Sequence, residues 1–83
     1  MKPKIIIVMD GGLIQNVMSN APVDVCVVDY DIEGIDEGST TQIPFGIDIS
    51  EAYCFFPGVE HNVVETERLY EFIENDLKEK ENA

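Results

Sequence analysis

Residues 5–19 have the sequence IIIVMDGGLIQNVMS, and this stretch decides how the chain begins to fold. Ile5–Met9 is apolar and rich in β-branched residues, Gly11-Gly12 suits a tight turn, and apolar residues resume at Leu13. The pattern predicts a β-hairpin. A strand followed by a short helix is the alternative, because apolar residues of Leu13–Ser19 also fit helical spacing. That segment spans only about two helical turns and follows adjacent glycines, which favours the hairpin.

Further strands are predicted downstream of the hairpin. The strongest strand pattern is that of Val23–Tyr30, which has alternating and β-branched apolar residues. An acidic, glycine-containing loop is predicted at Asp31–Ser39. Pro44 and Gly46 interrupt the next segment, so Thr40–Ser50 is expected to be an edge strand or an irregular ribbon. A short strand at Ala52–Phe56 is expected to stop at Pro57-Gly58.

The C-terminal segment has the periodicity of a helix. Leu69, Ile73 and Leu77 recur every four residues, and the pattern predicts a helix over about residues 63–79. Asn62 has the chemistry of an N-cap, with Glu65 as its reciprocal partner three residues later. Two i,i+4 ion pairs are expected on the helix surface, Glu74 with Lys78 and Asp76 with Lys80.

These elements predict an α+β fold in one domain, residues 1–83. We expect a small antiparallel sheet of three to five strands, with the C-terminal helix packed on one face. A chain of 83 residues buries only about 60% of the surface that its unfolded form exposes, so its stability is expected to be marginal without a partner.

Apolar residues at consecutive strand positions predict a second apolar sheet face. Runs such as Ile5–Val8 place hydrophobic side chains on both sides of a sheet, whereas one helix covers only one side. The uncovered face is expected to pack on a second copy of the chain or on another protein. The alternative is that Thr40–Ser50 folds across that face and closes it. The residues expected at the interface are Val25, Val27, Tyr53 and Phe55.

Charge restricts the partners that the chain can bind. Twelve carboxylates and no lysine or arginine lie between Lys4 and Arg68, and the net charge is -12. This balance disfavours direct binding to nucleic acid and to anionic membranes, and it favours a partner with a basic or apolar surface. The apolar run at Ile5–Met9 ends before it reaches the length of a signal-peptide core, so we expect a cytoplasmic protein. Cys26 and Cys54 are then expected to be buried free thiols, because both have apolar neighbours.

The densest group of possible metal ligands is the acidic segment that begins at Asp29. Asp29, Asp31, Glu33 and Gly34 match positions 1, 3, 5 and 6 of a calcium-binding loop, but Thr40 stands where that loop needs a bidentate glutamate. A weak divalent-cation site at Asp29, Asp31 and Glu33 is therefore one hypothesis. The other is a solvated acidic loop that protects a sheet edge from pairing.

No set of catalytic or cofactor-binding residues is predicted. His61 is the one histidine of the sequence, and its place just before Asn62 is typical of a turn or capping residue. Gly11-Gly12 belongs to no phosphate-binding motif, and Cys26 and Cys54 lack the further ligands that zinc needs. We therefore expect neither an enzyme nor a cofactor.

Residues 7–17, IVMDGGLIQNV, followed by Val27-Val28-Asp29-Tyr30-Asp31, resemble the opening of a group of short uncharacterised bacterial proteins. Those proteins have a hydrophobic-x-Gly-Gly-Val-Val-Gln-x-Val hairpin and then a Val-Asp-x-Asp strand. The resemblance covers about the first third of the chain. It implies the hairpin, the strand and a bacterial relationship, and it implies no activity or site.

The sequence favours a non-catalytic interaction or regulatory module that acts as a homodimer or by docking on a protein partner. A second hypothesis is a nucleic-acid mimic that inhibits a basic nucleic-acid-binding protein, because Asp29, Asp31 and Glu33 on an extended segment would have a spacing similar to that of backbone phosphates. A weak cation-binding module is the third.

Overall fold

A computed structural model of the protein describes residues 2–81, apart from the side chain of Phe45. Six strands and one helix are formed, which confirms the α+β class. The elements are β1 (Ile5–Asp10), β2 (Leu13–Ser19), β3 (Val27–Asp29), β4 (Thr41–Phe45), β5 (Asp48–Phe55), β6 (Glu60–His61) and α1 (Val63–Glu81).

The chain divides into two compact units. Unit 1 is formed by the residues up to Asp24 and from Gly58 onward, and unit 2 is Val25–Pro57. Each unit contains one three-stranded sheet, in the order β1-β2-β6 in unit 1 and β3-β5-β4 in unit 2. The strands therefore form two sheets, and the expectation of a single domain stays a prediction.

The predicted hairpin is confirmed in unit 1. β1 pairs antiparallel with β2, from Ile5 opposite Ser19 to Asp10 opposite Leu13. Gly11 and Gly12 have φ angles of 60° and 79°, the left-handed conformation that a type I′ turn requires at both central positions. Met9 faces Ile14 while Val8 faces Asn16, so Gln15 forms a β-bulge in β2. Leu13–Ser19 is thus a strand and not the alternative short helix.

The helix is also confirmed, and it extends from Val63 to Glu81. β6 precedes it and pairs parallel with the end of β2, where Asn62 N–H donates to Ser19 O at 2.9 Å. Asn62 Oδ1 accepts from Glu65 N–H at 3.0 Å, as an N-cap does. The reciprocal half of the predicted capping box is wrong, because Glu65 bonds Arg68 with its carboxylate. Both predicted i,i+4 pairs are present, Lys78–Glu74 at 3.5 Å and Lys80–Asp76 at 3.0 Å.

Unit 2 differs from the predicted strands in two places. Val23–Tyr30 forms a strand only at Val27–Asp29, which pairs antiparallel with β5. Thr40–Ser50 is not one irregular ribbon, since β4 and β5 form a second hairpin through Gly46-Ile47. Gly46 has a φ of 62°, as the first central residue of a type II′ turn does. Pro44 lies in β4, which is an edge strand as its proline predicts.

Few side chains are fully buried. Among the described side chains, the buried hydrophobic residues are Val17, Met18 and Ala52. Val17 and Met18 are neighbours in β2, the central strand of unit 1, so that strand is covered on both faces at this point. The rest of the apolar side chains are half-buried or exposed, and this distribution determines which surfaces can bind a partner.

Candidate functional site

A polar network attaches α1 to the start of the N-terminal hairpin. Lys4 Nζ donates to Glu67 Oε2 at 2.8 Å, and Asn20 Nδ2 donates to Glu67 Oε1 at 2.8 Å. Asn20 Oδ1 in turn accepts from Lys4 N–H at 2.8 Å. The Lys4 ammonium also lies 5.3 Å from the centre of the Tyr70 ring, within range of a cation–π contact. These contacts place the helix on the face of the sheet to which Lys4 and Asn20 point.

The same network shifts the ionisation of its charged groups. The hydrogen bond from Lys4, followed by the one from Asn20, holds the pKa of the Glu67 carboxyl below its ordinary value. The hydrogen bond to Glu67 raises the pKa of Lys4. Both shifts favour the charged forms, because each group is stabilised by a partner of opposite charge.

An apolar groove lies between α1 and the beginning of β1. It has a volume of about 340 Å³ and is lined by Ile5, Ile6, Tyr70, Ile73, Glu74 and Leu77. The helical residues of the lining recur at positions that share one side of the helix. Leu77 keeps 55% of its surface exposed, and of the residues in α1 only Thr66 is buried. This groove, called the β1–α1 groove below, is open to a partner side chain.

The sheet face opposite the helix is also apolar and exposed in β1. Since successive strand side chains alternate, Lys4, Ile6 and Val8 point to the helix side, and Ile5, Ile7 and Met9 point to the other. Ile5, at the beginning of the strand, also lines the rim of the β1–α1 groove. The exposed fractions of Ile5, Ile7 and Met9 are 41%, 51% and 58%. In β1, apolar residues therefore extend to both faces, as the sequence predicts.

The interface residues expected from the sequence lie in unit 2. Val27 is directly opposite Phe55, and Tyr53 follows two positions away on the same face, with its ring centre 5.4 Å from that of Phe55. Val25 precedes β3, and all four residues are half-buried. The structure therefore places Val27, Tyr53 and Phe55 together, and their role as an interface stays a prediction. The β1–α1 groove was not predicted, because it depends on which side of the helix meets β1.

After β3, aspartate side chains of the acidic segment accept hydrogen bonds from the backbone two residues later. Asp31 N–H donates to Asp29 Oδ1 at 2.9 Å, and Glu33 N–H donates to Asp31 Oδ1 at 3.4 Å. Within residues 2–81 no three or more histidine, cysteine, aspartate or glutamate side chains are grouped so that they could hold a metal ion. A cation at Asp29, Asp31 and Glu33 would therefore require this loop to rearrange, and the cation hypothesis stays a prediction. Of these three residues only Asp29 lies in a strand, and the nucleic-acid-mimic hypothesis also stays a prediction.

The remaining candidate residues are the histidine and the two cysteines. His61 is exposed in β6 and lines a shallow cleft of about 300 Å³ together with Ser19, Pro22, Val23, Asp24 and Val59. Cys26 and Cys54 are free thiols, but the expectation that both are buried is wrong, since Cys26 is exposed and Cys54 is half-buried. In the described part of the chain, no helix combines the length and apolar character needed to cross a membrane.

Comparison with protein-family models, with curated proteins and with solved structures finds no match for this chain. The resemblance to short bacterial proteins therefore stays a prediction.

Proposed function

We propose that this chain is a non-catalytic interaction module that works by self-association or by docking on a protein partner. The observation that carries the proposal is the exposure of its apolar side chains. Among the described side chains, sixteen large hydrophobic residues are exposed, whereas the buried hydrophobic residues are only Val17, Met18 and Ala52. Such an imbalance is typical of a surface that is covered in the working state of a protein.

The free energy available at these surfaces is large for so small a chain. Burying one Val, Leu, Ile or Phe side chain completely contributes roughly 1.5–3 kcal/mol. Small domains retain only about 5–15 kcal/mol on folding. A partner that covers a few of these side chains would therefore contribute a substantial fraction of the total stability, so binding and folding would be strongly coupled.

Charge supports a protein partner over nucleic acid or an anionic membrane. The net charge is -12, and four of the five basic residues are already in ion pairs with carboxylates of the same chain. Little positive charge is left to attract a phosphate. The nucleic-acid mimic stays a second hypothesis that rests on net charge alone, and pull-downs of basic nucleic-acid-binding proteins at low salt would test it.

Sedimentation velocity and binding of an apolar fluorescent dye test the proposal. Self-association predicts a species of twice the 9.3 kDa chain mass within about 1–100 µM protein. Docking on another protein predicts a monomer that binds the dye, because its apolar surface stays open to water. A monomer that binds no dye over the whole range would contradict the proposal.

A pair of helix variants provides the control for the dye experiment. Leu77→Ser removes an apolar side chain from the β1–α1 groove, and Phe72→Ser removes one of similar exposure that does not line it. If the groove binds the dye in a monomer, fluorescence falls by about half or more in Leu77→Ser and changes less in Phe72→Ser. Equal losses would mean that the dye reports exposed apolar residues in general.

A further inference from the structure

β1 is an edge strand without the usual protection against pairing. It has β2 on one side, and the sheet order β1-β2-β6 leaves its other side unpaired. Natural edge strands are commonly protected by charged residues, by proline or by an irregularity of the edge itself. Ile5–Met9 has no charged residue and no proline, and the β-bulge lies in β2, on the inner side. The free edge of this segment can therefore pair with another strand.

The hydrogen bonds of the hairpin show which peptide groups point to the open side. Asn20 N–H donates to Lys4 O at 3.2 Å, so Lys4 directs its carbonyl toward β2. Peptide groups alternate along an antiparallel pair. The N–H and C=O groups of Ile6 therefore also point toward β2, whereas those of Ile5 and Ile7 point to the free edge. Those groups are available to an added strand.

We propose that the occupant of this edge is a second copy of the chain, paired antiparallel through β1 and centred on Ile7. This inference rests on the proposed function, of which it names the partner. In this register, Ile7 faces the partner's Ile7, Ile5 faces the partner's Met9 and Lys4 faces the partner's Asp10. The two three-stranded sheets join into one six-stranded sheet about a twofold axis, and the same surface is used by both copies.

Charge complementarity favours a second copy at this edge over a basic partner. The centre of β1 has no carboxylate that could attract a basic residue, and its two ends are opposite in charge, Lys4 at one and Asp10 at the other. Antiparallel pairing brings the unlike ends together twice. The Lys4 ammonium has three donors and uses one on Glu67, so it can also donate to the partner's Asp10.

The pairing also supplies an occupant for the β1–α1 groove. Residues directly opposite each other in a sheet lie on the same side, so both helices lie on one side of the six-stranded sheet. The partner's Val8 then faces Ile6, next to the groove that Ile73 and Leu77 line. Val8 is 40% exposed in the single chain, and the dimer would cover it.

Two isoleucine-to-lysine variants test the interface by sedimentation velocity. Ile7→Lys places a charge at the centre of the pairing, whereas Ile47→Lys places one at a fully exposed turn position of unit 2. We expect Ile7→Lys to weaken the dimer about tenfold or more, and Ile47→Lys to change it less than about twofold. Far-UV circular dichroism of both variants checks that they are folded. A dimer that survives Ile7→Lys unchanged would overturn the β1 interface but leave the proposed function intact.

Salt dependence separates this dimer from a complex with a basic protein. Two copies of net charge -12 repel each other outside the interface. Raising the ionic strength from about 0.05 M to 0.5 M screens that repulsion and is expected to tighten the dimer several-fold. A complex that rests on attraction to a basic partner weakens under the same change. The two Lys4–Asp10 pairs at the ends of the interface contribute little beside that repulsion. Dimerisation that weakens with salt would therefore contradict the apolar centre proposed here.

A cysteine experiment tests the register without a disruptive charge. In a Cys26→Ser/Cys54→Ser background, Ile7→Cys places two thiols opposite each other across the twofold axis. Residues that form a hydrogen-bonded antiparallel pair have Cα atoms about 5.5 Å apart, a separation that a disulfide can span. Mild oxidation is expected to convert most Ile7→Cys protein into a covalent dimer, and Ile47→Cys at least about fivefold more slowly. Equal rates, or a monomer at every concentration, would overturn the inference. In the monomer case, dye binding then decides separately whether the proposed function still holds.

Discussion

Asn62 joins the hairpin to the helix through both its backbone and its side chain. Its N–H donates to Ser19 O at 2.9 Å, and its Oδ1 accepts from Glu65 N–H at 3.0 Å. Its carbonyl accepts the first helical hydrogen bond, from Thr66 N–H. One residue therefore ends the parallel pairing of β6 and begins α1. A side chain with an acceptor oxygen is needed for the second of these roles.

Replacing Asn62 by alanine is expected to destabilise the fold. The backbone bonds can persist, but Glu65 N–H loses its acceptor, which costs about 1 kcal/mol for a typical N-cap. Urea unfolding followed by circular dichroism measures this change. Asn75→Ala is the matched control, because Asn75 is an exposed interior residue of α1 and alanine is the better helix former there. Equal destabilisation by the two variants would contradict the N-cap role.

Glu67 gives the fold a defined dependence on pH. Lys4 and Asn20 hold its pKa below the ordinary value, so the folded state binds a proton less readily than the unfolded state. The stabilisation from Glu67 is therefore complete at neutral pH, and it is lost as the pH falls through the acidic range below about 5. Glu67→Gln should lower the melting temperature at pH 7 and reduce the difference between the melting temperatures at pH 7 and pH 4.

The control for this experiment is Glu79→Gln. Glu79 lies in the same helix, and its side chain is exposed. Its replacement should leave the pH dependence of the melting temperature close to that of the unmodified chain. If Glu67→Gln and Glu79→Gln show the same pH profile, the Lys4–Glu67–Asn20 network does not link folding to pH.

The N-terminal hairpin depends on the backbone conformation of its turn. Gly11 and Gly12 both have positive φ angles, which residues with a Cβ adopt only at a cost. A Cβ added at Gly12 would meet no heavy atom within 4 Å, so the cost of a substitution comes from the backbone itself. The type I′ turn fixes the register that puts Val17 opposite Ile7.

Gly12→Ala is expected to reduce stability by about 1–2 kcal/mol, the cost of a left-handed conformation for a residue other than glycine. Gly58→Ala is the matched control. A Cβ at Gly58 also meets nothing within 4 Å, but its φ angle is not positive, so alanine there should be neutral or slightly stabilising. Chemical unfolding of both variants tests the difference. Similar losses of stability in both variants would show that the positive φ angle at Gly12 is not the cause of the destabilisation.

The first hairpin and the helix could be predicted from the sequence, because each depends on residues that are close together along the chain. Gly11-Gly12 located the first hairpin, and the four-residue spacing from Leu69 to Leu77 located the helix. The second hairpin was not predicted, because Pro44 and Gly46 are typical of irregular structure. An edge strand tolerates a proline such as Pro44, and a type II′ turn requires a glycine such as Gly46. β6 is only two residues long and pairs with β2, which is about half a chain length away in the sequence, so no local pattern indicates it.

Of the candidate surfaces, one could be predicted from the sequence and one could not. Apolar residues on both faces of a strand could be predicted, because strand alternation alone places Ile6 and Ile7 on opposite sides. The β1–α1 groove could not, since it depends on the contact between Lys4 and Glu67, which are far apart in the sequence. The sequence shows that Glu67 and Lys4 are charged, but not that they meet.

At the scale of the whole molecule, stability and association are expected to be linked. The buried hydrophobic side chains among the described residues are few, and β1 keeps a long apolar edge exposed. Whatever covers that edge binds the folded chain and not the unfolded one. Apparent stability then depends on the concentration of the covering partner.

The melting temperature should therefore rise with protein concentration if the partner is a second copy. A tenfold increase is expected to raise it by about 3–5 °C for a chain of this size. Differential scanning fluorimetry at several concentrations measures the shift. Ile7→Lys should abolish the concentration dependence, and Ile47→Lys should retain it. A melting temperature that is independent of concentration in the unmodified chain would argue against coupled dimerisation.

The bond between Asn62 N–H and Ser19 O also has a kinetic consequence, because it closes a chain loop that contains residues 20–61. The entropy lost on closing a loop grows with the logarithm of its length. The β4–β5 hairpin lies inside this loop and needs only the two-residue turn at Gly46-Ile47 to form. Once formed, it shortens the chain that must close before α1 can dock. The rate at which unit 1 folds is therefore expected to respond to a turn in unit 2.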